Sequence, residues 1–151
     1  MRRLTISVDD DLADTFDRFT RETGYANRSE AFRDLVRNAL GDAGIKKGSA
    51  KHCVGALSYV YNHHERQLAS RLASLHHAHH DLTVSTMHAH LDHENCLETV
   101  LLRGRTEEVT HFAESVIAQN GVRHGRFHPI PIELEEPGAK QHRHVHARPA
   151  T

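Results

Sequence analysis

The sequence has few cysteines and no long apolar run, and its positive and negative charges nearly cancel. Two cysteines in 151 residues are too few for the disulfide framework of a small secreted protein. No stretch of eighteen apolar residues occurs, so we expect no membrane-spanning helix and no membrane partner. With 19 Lys and Arg against 20 Asp and Glu, any nucleic-acid binding must come from a local basic patch. The first residues enter an alternating pattern without an apolar signal core, and we expect a cytoplasmic protein.

Histidine is the residue that the chain has in excess. Seven of its 16 histidines lie between Leu75 and Cys96. His88 and His90 are separated by one residue in a segment that is typical of a β-strand, and strand alternation sends both rings to one face. Residues 91–95 are rich in turn formers, so we expect the chain to reverse there and to bring Cys96 beside the two rings.

Two imidazoles and a thiolate form a metal site that lacks one ligand. The helix-end cluster at residues 76–80 offers several histidines for the fourth position, from the same chain or from a neighbour in a symmetric oligomer. Nickel, copper and zinc all suit this donor set, and the spacing alone does not decide between a square-planar and a tetrahedral site. A closed site with four protein ligands leaves no position for a substrate, which argues against an enzyme.

The amino-terminal residues predict a strand followed by two helices. Apolar and polar residues alternate over residues 2–8, as in a half-buried strand. Asp9 is a suitable N-cap for the first helix, and Asn27, with Glu30 three positions later, predicts a capping box at the start of the second. Gly24 and Gly41 predict the ends of these helices. So small a unit buries little surface alone, and we expect two copies to pair their strands.

Each of the two copies would contribute the same polar and basic side chains to the outward face of such a paired ribbon. A two-stranded ribbon fits the major groove of DNA, where arginine and hydroxyl side chains contact base edges. The first turn of the second helix suits a phosphate. The pattern resembles the ribbon-helix-helix family of DNA-binding proteins, although a dimerisation arm with a solvated outer face is the alternative. The predicted DNA contacts are Arg3, Thr5, Ser7, Arg28, Ser29 and Arg33.

The remainder of the chain predicts a second domain and a tail. Residues 41–51 are rich in Gly and Lys and read as a linker. The pattern that follows has the order β-α-β-β-α-β of ferredoxin-like sensing domains, so the fold class is α+β. The tail carries alternating histidines at 142, 144 and 146, and its composition predicts disorder. The predicted domains are a ribbon-helix-helix domain (1–47), a ferredoxin-like (ACT-like) domain (48–132) and a His-containing tail (133–151).

Five motifs and the amino-terminal strand extend the resemblance over about residues 2–128. The motifs are G-Y-A-N-R-S-E-A-F-R-D, L-S-Y-V-Y, H-H-A-H-H-D-L, H-A-H-L-D-H-E-N-C-L-E and G-V-R-H-G. Together they resemble the NikR-type nickel-responsive transcriptional regulators. The resemblance implies a homotetramer in which two ribbon-helix-helix dimers flank a core of ferredoxin-like domains, one Ni(II) per subunit, and a palindromic double-stranded DNA operator.

The resemblance also implies the site residues. The nickel ligands would be His88, His90 and Cys96 of one subunit and His77 of another, where counting back from Asp81-Leu82 selects His77 rather than His76. Glu98 would belong to the hydrogen-bonded groups that orient these ligands. Glu30 and Asp34 match a second, weaker cation site, although a solvated helix face explains this carboxylate pair equally well.

The function implied is nickel-dependent, sequence-specific binding to DNA, with repression of nickel-uptake genes when Ni(II) is bound. One alternative is a metal-buffering protein in which the histidine clusters are the working parts. Another is a ribbon-helix-helix regulator that senses a different metal or a small molecule. Metal stoichiometry and the effect of nickel on DNA affinity would separate the three.

Overall fold

The computed structural model describes residues 3–135 and 146–150. The chain forms two compact units, Met1–Leu40 and Gly41–Thr151. Within the described residues, none of the helices has the length and apolar content needed to cross a bilayer.

The amino-terminal unit contains the first helix and most of the second helix that the capping residues predict. Helix α1 (Asp10–Glu22) begins after Asp9, whose carboxylate accepts a hydrogen bond of 2.9 Å from the Leu12 N–H. Helix α2 (Arg28–Lys46) begins after Asn27, whose side-chain oxygen accepts one of 3.0 Å from the Glu30 N–H. Both N-caps therefore confirm the sequence prediction.

The predicted end of α2 at Gly41 is wrong. The helix continues through Gly41 and Gly44 to Lys46, so part of the expected linker is helical. A glycine inside a helix costs only about 1 kcal/mol. The last residues of α2 belong to the second unit, where the half-buried Ile45 packs against the hydrophobic core of that unit and provides a compensating contact.

Residues 3–9 form no strand within the single chain. Their apolar side chains are open to solvent, with Leu4 72%, Ile6 53% and Val8 52% exposed. Within residues 3–40, Thr20 and Ala31 alone are buried. A strand needs a partner strand for its hydrogen bonds, so the paired ribbon between two copies stays a prediction.

The second unit has the predicted ferredoxin-like order. Its antiparallel sheet has the strand order β2-β3-β1-β4-β5, and β2-β3-β1-β4 is the arrangement expected of a βαββαβ chain. The predicted fold class is thereby confirmed. The elements are β1 (His52–Asn62), α3 (Arg66–Ala78), β2 (Thr83–His90), β3 (Asn95–Arg105), α4 (Thr106–Ile117), β4 (Arg123–Glu135) and β5 (His146–Pro149).

The prediction of a disordered tail is wrong for the residues that the structure describes there. Strand β4 extends to Glu135, and β5 pairs with residues 132–135. Arg148 forms a 2.8 Å ion pair with Glu135. The edge of β4 carries backbone groups that a short strand can pair, and a proline is tolerated in an edge strand. His142 and His144 lie outside the described residues.

The core lies between one face of the sheet and the two helices. Every second residue of β1 is buried, from Cys53 to Tyr61, and these side chains pack with Leu68 of α3 and Phe112 of α4. The register places Tyr61 opposite Cys96, and His90 opposite Cys96 on the other side. Cys96 therefore occupies the middle of three strands, on the face that the helices cover.

Candidate metal centre

The turn between β2 and β3 is fixed by Asp92. Its Oδ1 accepts hydrogen bonds from the backbone N–H groups of Glu94 (2.8 Å) and Asn95 (2.7 Å). The hydrogen bonds from the Asn95 side chain, and next these backbone bonds, lower the Asp92 pKa to about 2, so the carboxylate stays charged at neutral pH. The Leu91 N–H donates to the Asn95 carbonyl at 2.8 Å. The predicted chain reversal is confirmed.

The reversal brings Cys96 against two imidazole rings. The Cys96 Sγ lies 3.2 Å from His90 Nδ1 and 3.1 Å from His63 Nδ1. Within the described residues, one group of at least three potential metal ligands has its donor atoms within 4.8 Å of one another, and it consists of His63, His90 and Cys96. We call this group the Cys96 triad.

His63 is the member of the Cys96 triad that sequence reasoning missed. It follows β1 directly, and its backbone N–H donates to the Glu94 carbonyl at 3.1 Å, next to the β2–β3 turn. It lies in the turn that follows β1, two residues after the buried Tyr61. The signal is visible in the sequence only if β1 is known to pair with β3, because 33 residues separate His63 from Cys96.

The protonation of the Cys96 triad follows from its surroundings. Burial raises the pKa of the Cys96 thiol, and the Glu98 and Asp92 carboxylates raise it further. Burial lowers the pKa of His63, and the neighbouring histidines lower it further. The imidazole is therefore neutral and ready to bind a metal at neutral pH, whereas the thiol must release its proton to do so.

His88 lies beside the Cys96 triad but belongs to a different set of contacts. Its ring centroid is 5.1 Å from that of His90, as the shared strand face predicts. Its Nδ1, however, is 3.4 Å from Glu98 Oε2. Of the ligands predicted in one subunit, the structure therefore brings together His90 and Cys96 and holds His88 at Glu98.

Glu98 is the centre of a largely buried polar network. Tyr59 donates a hydrogen bond of 2.7 Å to Oε1, and Tyr61 donates one of 3.3 Å to Oε2. The Glu98 side chain is only 13% exposed. Burial, with Glu98 as the next cause, raises the pKa of both tyrosines, that of Tyr61 to about 12. Both hydroxyls therefore keep their protons and hold the carboxylate in place.

The network also separates the two histidines considered for the fourth ligand. His76 Nε2 lies 3.1 Å from the Tyr59 hydroxyl. Because that hydroxyl donates to Glu98, His76 must donate its own N–H to the Tyr59 oxygen. Burial lowers the pKa of His76, so its ring is neutral and engaged inside the chain. His77 is exposed, with its ring centroid 6.3 Å from that of His80.

The predicted DNA-binding residues are exposed in the amino-terminal unit. Arg3, Thr5 and Ser7 are all exposed. Arg28 forms an ion pair with Asp17 of α1, and both side chains keep contact with solvent. Ser29, in the first turn of α2, is also exposed.

The carboxylates of the predicted second cation site are each paired with an arginine one turn along α2. Glu30 pairs with Arg33, and Asp34 lies 3.9 Å from Arg37. A cation at this place would have to share the carboxylates with those arginines. The second site stays a prediction.

Comparison with known proteins matches both units to described families. Residues 54–130 match the NikR C terminal nickel binding domain, a range that contains the whole Cys96 triad. Residues 2–43 match the ribbon-helix-helix proteins of the copG family.

Full-length relatives agree with both matches. Proteins named nickel-responsive regulator from Brucella abortus and Brucella suis are each 47% identical to this chain over 132 residues, which is 87% of this chain and 100% of theirs. The nickel-responsive regulator of Brucella melitensis is 46% identical over the same length.

Proposed function

The chain belongs to the nickel-responsive regulators, which join a ribbon-helix-helix domain to a NikR nickel-binding domain, and we propose that Ni(II) bound between its subunits controls its affinity for operator DNA. The observation that carries this proposal is the pair of facing residues His90 and Cys96, whose donor atoms lie 3.2 Å apart at the end of a fixed hairpin.

The proposed nickel ligands are His88, His90 and Cys96 of one subunit and His77 of a second. Imidazole nitrogens and a thiolate are donors that suit Ni(II), and the three residues of one chain share one face of adjacent strands. His77 is the better fourth ligand because His76 already donates to Tyr59. These four donors would hold Ni(II), which would link the two subunits through coordination bonds.

Glu98 orients His88 in this proposal. The carboxylate is fixed by two tyrosines and lies 3.4 Å from His88 Nδ1. A carboxylate that accepts from one ring nitrogen fixes the tautomer and directs the other nitrogen toward a metal. Glu98 thereby connects the proposed nickel site to the core through Tyr59 and Tyr61.

The proposed assembly is a homotetramer made of two dimers. In the amino-terminal unit, pairing of residues 3–8 between two copies would cover Leu4, Ile6 and Val8. In the second unit, the sheet face turned away from the helices leaves Met87 72% and Ile130 43% exposed, and a second copy would cover it. If the metal site joins subunits that belong to different DNA-binding dimers, a tetramer is the smallest closed assembly that contains both interfaces.

The proposed DNA contacts come from the ribbon and the start of α2. Arg3, Thr5 and Ser7 of two paired strands would read base edges in the major groove. Arg28, Ser29 and Arg33 would contact phosphates, which the N–H groups of the first turn of α2 also favour. Two such dimers in one tetramer require two half-sites, so we propose a palindromic operator. The compartment in which it meets DNA is the cytoplasm.

The proposed regulation is repression of nickel-uptake genes by the nickel-bound form. Linkage requires that nickel bind more tightly to the arrangement of subunits that fits the operator than to other arrangements. A shared site meets this requirement, because His77 reaches the other three ligands only when two subunits take the correct relative position. A cell that already holds enough nickel would in this way stop importing it.

The test compares the two cysteines. Operator DNA is selected from a random-sequence pool with the nickel-bound wild-type protein, and affinity is then measured with and without nickel. Nickel should tighten binding by roughly 5- to 150-fold. Cys96→Ala should abolish this effect and the thiolate-to-nickel absorption, and should remain folded. Cys53→Ala, which removes the other buried thiol, should keep both. A Cys96→Ala protein that still needs nickel to bind the operator would contradict the proposed site.

A further inference from the structure

We propose that Arg123, acting through Asn95, limits the opening of the β2–β3 turn and thereby sets the rate at which a metal ion reaches and leaves Cys96. This inference rests on the proposed nickel function and extends it from the ligands to the kinetics of exchange. Arg123 lies on β4, outside the hairpin, and has no place among the proposed nickel ligands or DNA contacts. It is a positioning residue, because it acts through another side chain.

The inference depends on the hydrogen bond that Arg123 Nη2 donates to the side-chain oxygen of Asn95. The amide nitrogen of Asn95 in turn donates to both carboxylate oxygens of Asp92, at 2.8 and 3.1 Å. A guanidinium can only donate and a charged carboxylate can only accept, so these two partners fix the amide in one orientation. The three side chains therefore form a chain of hydrogen bonds from β4 to the turn.

A β-bulge in β4 adjoins Arg123 and fixes its position. The register of β4 against β1 shifts just after Arg123, where β4 has one residue more than β1, and a bulge of this kind re-aims nearby side chains. His124, in the bulge, has a left-handed backbone with a φ of 54°. A Cβ at Gly125 would lie 2.8 Å from a side-chain carbon of Ile117. Close packing of Gly125 against α4 therefore holds the bulge that places Arg123 at Asn95.

The expected effect is on the rate of metal exchange, with the affinity unchanged. Cys96 is completely buried, so a metal ion reaches the sulfur only when the turn beside it opens. Opening separates Asp92 from Asn95, and an amide that Arg123 does not orient holds the carboxylate less well. In this proposal the same hydrogen bonds hold the closed turn with and without the metal. They therefore slow capture and release alike and cancel from the equilibrium affinity.

Labelling of the Cys96 thiol in metal-free protein tests the control of opening. The chain has two cysteines, so in a Cys53→Ala background an aromatic disulfide reagent reports on Cys96 alone. Arg123→Met should raise the labelling rate about fivefold, the effect of losing one typical hydrogen bond. Asn95→Ala should raise it at least as much, and Arg123→Met should add nothing in the Asn95→Ala background.

Two controls separate local opening from a general loosening of the fold. Arg126→Met removes another exposed arginine of β4, whose guanidinium bonds to a backbone carbonyl of its own strand, and it should leave the labelling of Cys96 unchanged. Cys53 is also buried, and its labelling in a Cys96→Ala background should not respond to Arg123→Met.

Nickel exchange tests the consequence for the metal. In an excess of chelator, nickel-loaded Arg123→Met should lose its thiolate-to-nickel absorption about fivefold faster than the wild type, while its equilibrium affinity for nickel stays that of the wild type. Arg126→Met should match the wild type in both measurements.

The outcomes separate this inference from the proposed function. Unchanged labelling and release in Arg123→Met would overturn the inference, as would an equal rise in the labelling of Cys53. A lower nickel affinity with unchanged labelling would also overturn it, because Arg123 would then act on the bound metal and not on the turn. If the labelling result were as expected but the wild type bound no nickel at Cys96, the proposed function would fail and the control of the turn would stand.

Discussion

The two units of this chain differ in where they keep their apolar side chains. In the second unit Leu57, Val100 and Phe112 are completely buried. In the amino-terminal unit Leu4 and Ile6 are more than half exposed, and local caps and surface ion pairs supply most of the described polar contacts. A single copy therefore buries the core of the second unit, whereas the amino-terminal unit leaves exposed the apolar side chains that a second copy would cover in the proposed dimer.

The largest effect expected from this difference comes from one truncation made in both units. Leu57→Ala should lower the free energy of unfolding by about 2–5 kcal/mol, because it removes buried methyl groups and leaves a cavity. Leu4→Ala removes the same groups at an exposed position, so it should barely change unfolding of dilute protein and should weaken dimer formation. Urea unfolding and sedimentation measure the two quantities. If Leu4→Ala and Leu57→Ala lowered the free energy of unfolding of dilute protein equally, Leu4 would be as buried in a single copy as Leu57, which would contradict the difference between the two units.

A glycine substitution tests how closely the second unit is packed. A Cβ at Gly55 would lie 2.8 Å from Phe127 Cζ and 3.3 Å from the His128 carbonyl oxygen. Gly55→Ala should therefore cost about 1–3 kcal/mol through overpacking, measured by thermal unfolding. Gly44→Ala in α2 meets only ordinary contacts at 3.7 Å or more and should stabilise by roughly 0.5–1 kcal/mol. If Gly55→Ala left the stability unchanged, the packing around Gly55 would be looser than the distances to Phe127 and His128 indicate.

Most of the fold could be predicted because its signals are local. Asp9 and Asn27 predict the helix starts from residues within one turn of the helix, and the strand-like segment around His88 and His90 predicts β2. The end of α2 and the strand β5 could not be predicted in this way. Both depend on contacts with distant residues, Ile45 with the core and Arg148 with Glu135, which a window of local sequence does not contain.

The residues of the candidate site also differ in whether local sequence predicts their position. His90 and Cys96 were predictable because one hairpin joins them across six residues. His63 was not, because its place beside Cys96 depends on the pairing of β1 with β3. The predicted contact of His88 with the metal stays a prediction; in the described structure the His88 Nδ1 lies 3.4 Å from Glu98 Oε2.

A smaller effect is expected from the cap that starts α2. Asn27→Ala removes the side-chain oxygen that accepts from the Glu30 N–H and should cost about 1 kcal/mol. Asn38→Ala, at an exposed position inside the same helix, should be neutral or slightly stabilising, because alanine favours helix. Urea unfolding of both variants measures the difference. If the two substitutions behave alike, local capping is not what stabilises this unit.

The smallest effect concerns the ion pair between Asp17 and Arg28, and pH reveals it. The hydrogen bond from Arg28 is the main cause that holds the Asp17 pKa below its ordinary 3.8. Because the folded pKa is lowered, the stabilisation is complete above pH 3.8 and is lost as the pH falls through the lower folded value. Wild type should therefore be slightly more stable than Asp17→Asn at pH 7, and the difference should shrink below pH 4. Solvent screening keeps it small, and high salt should reduce it further. A difference that stays constant down to pH 2 would show that Asp17 stabilises α1 by something other than its charge.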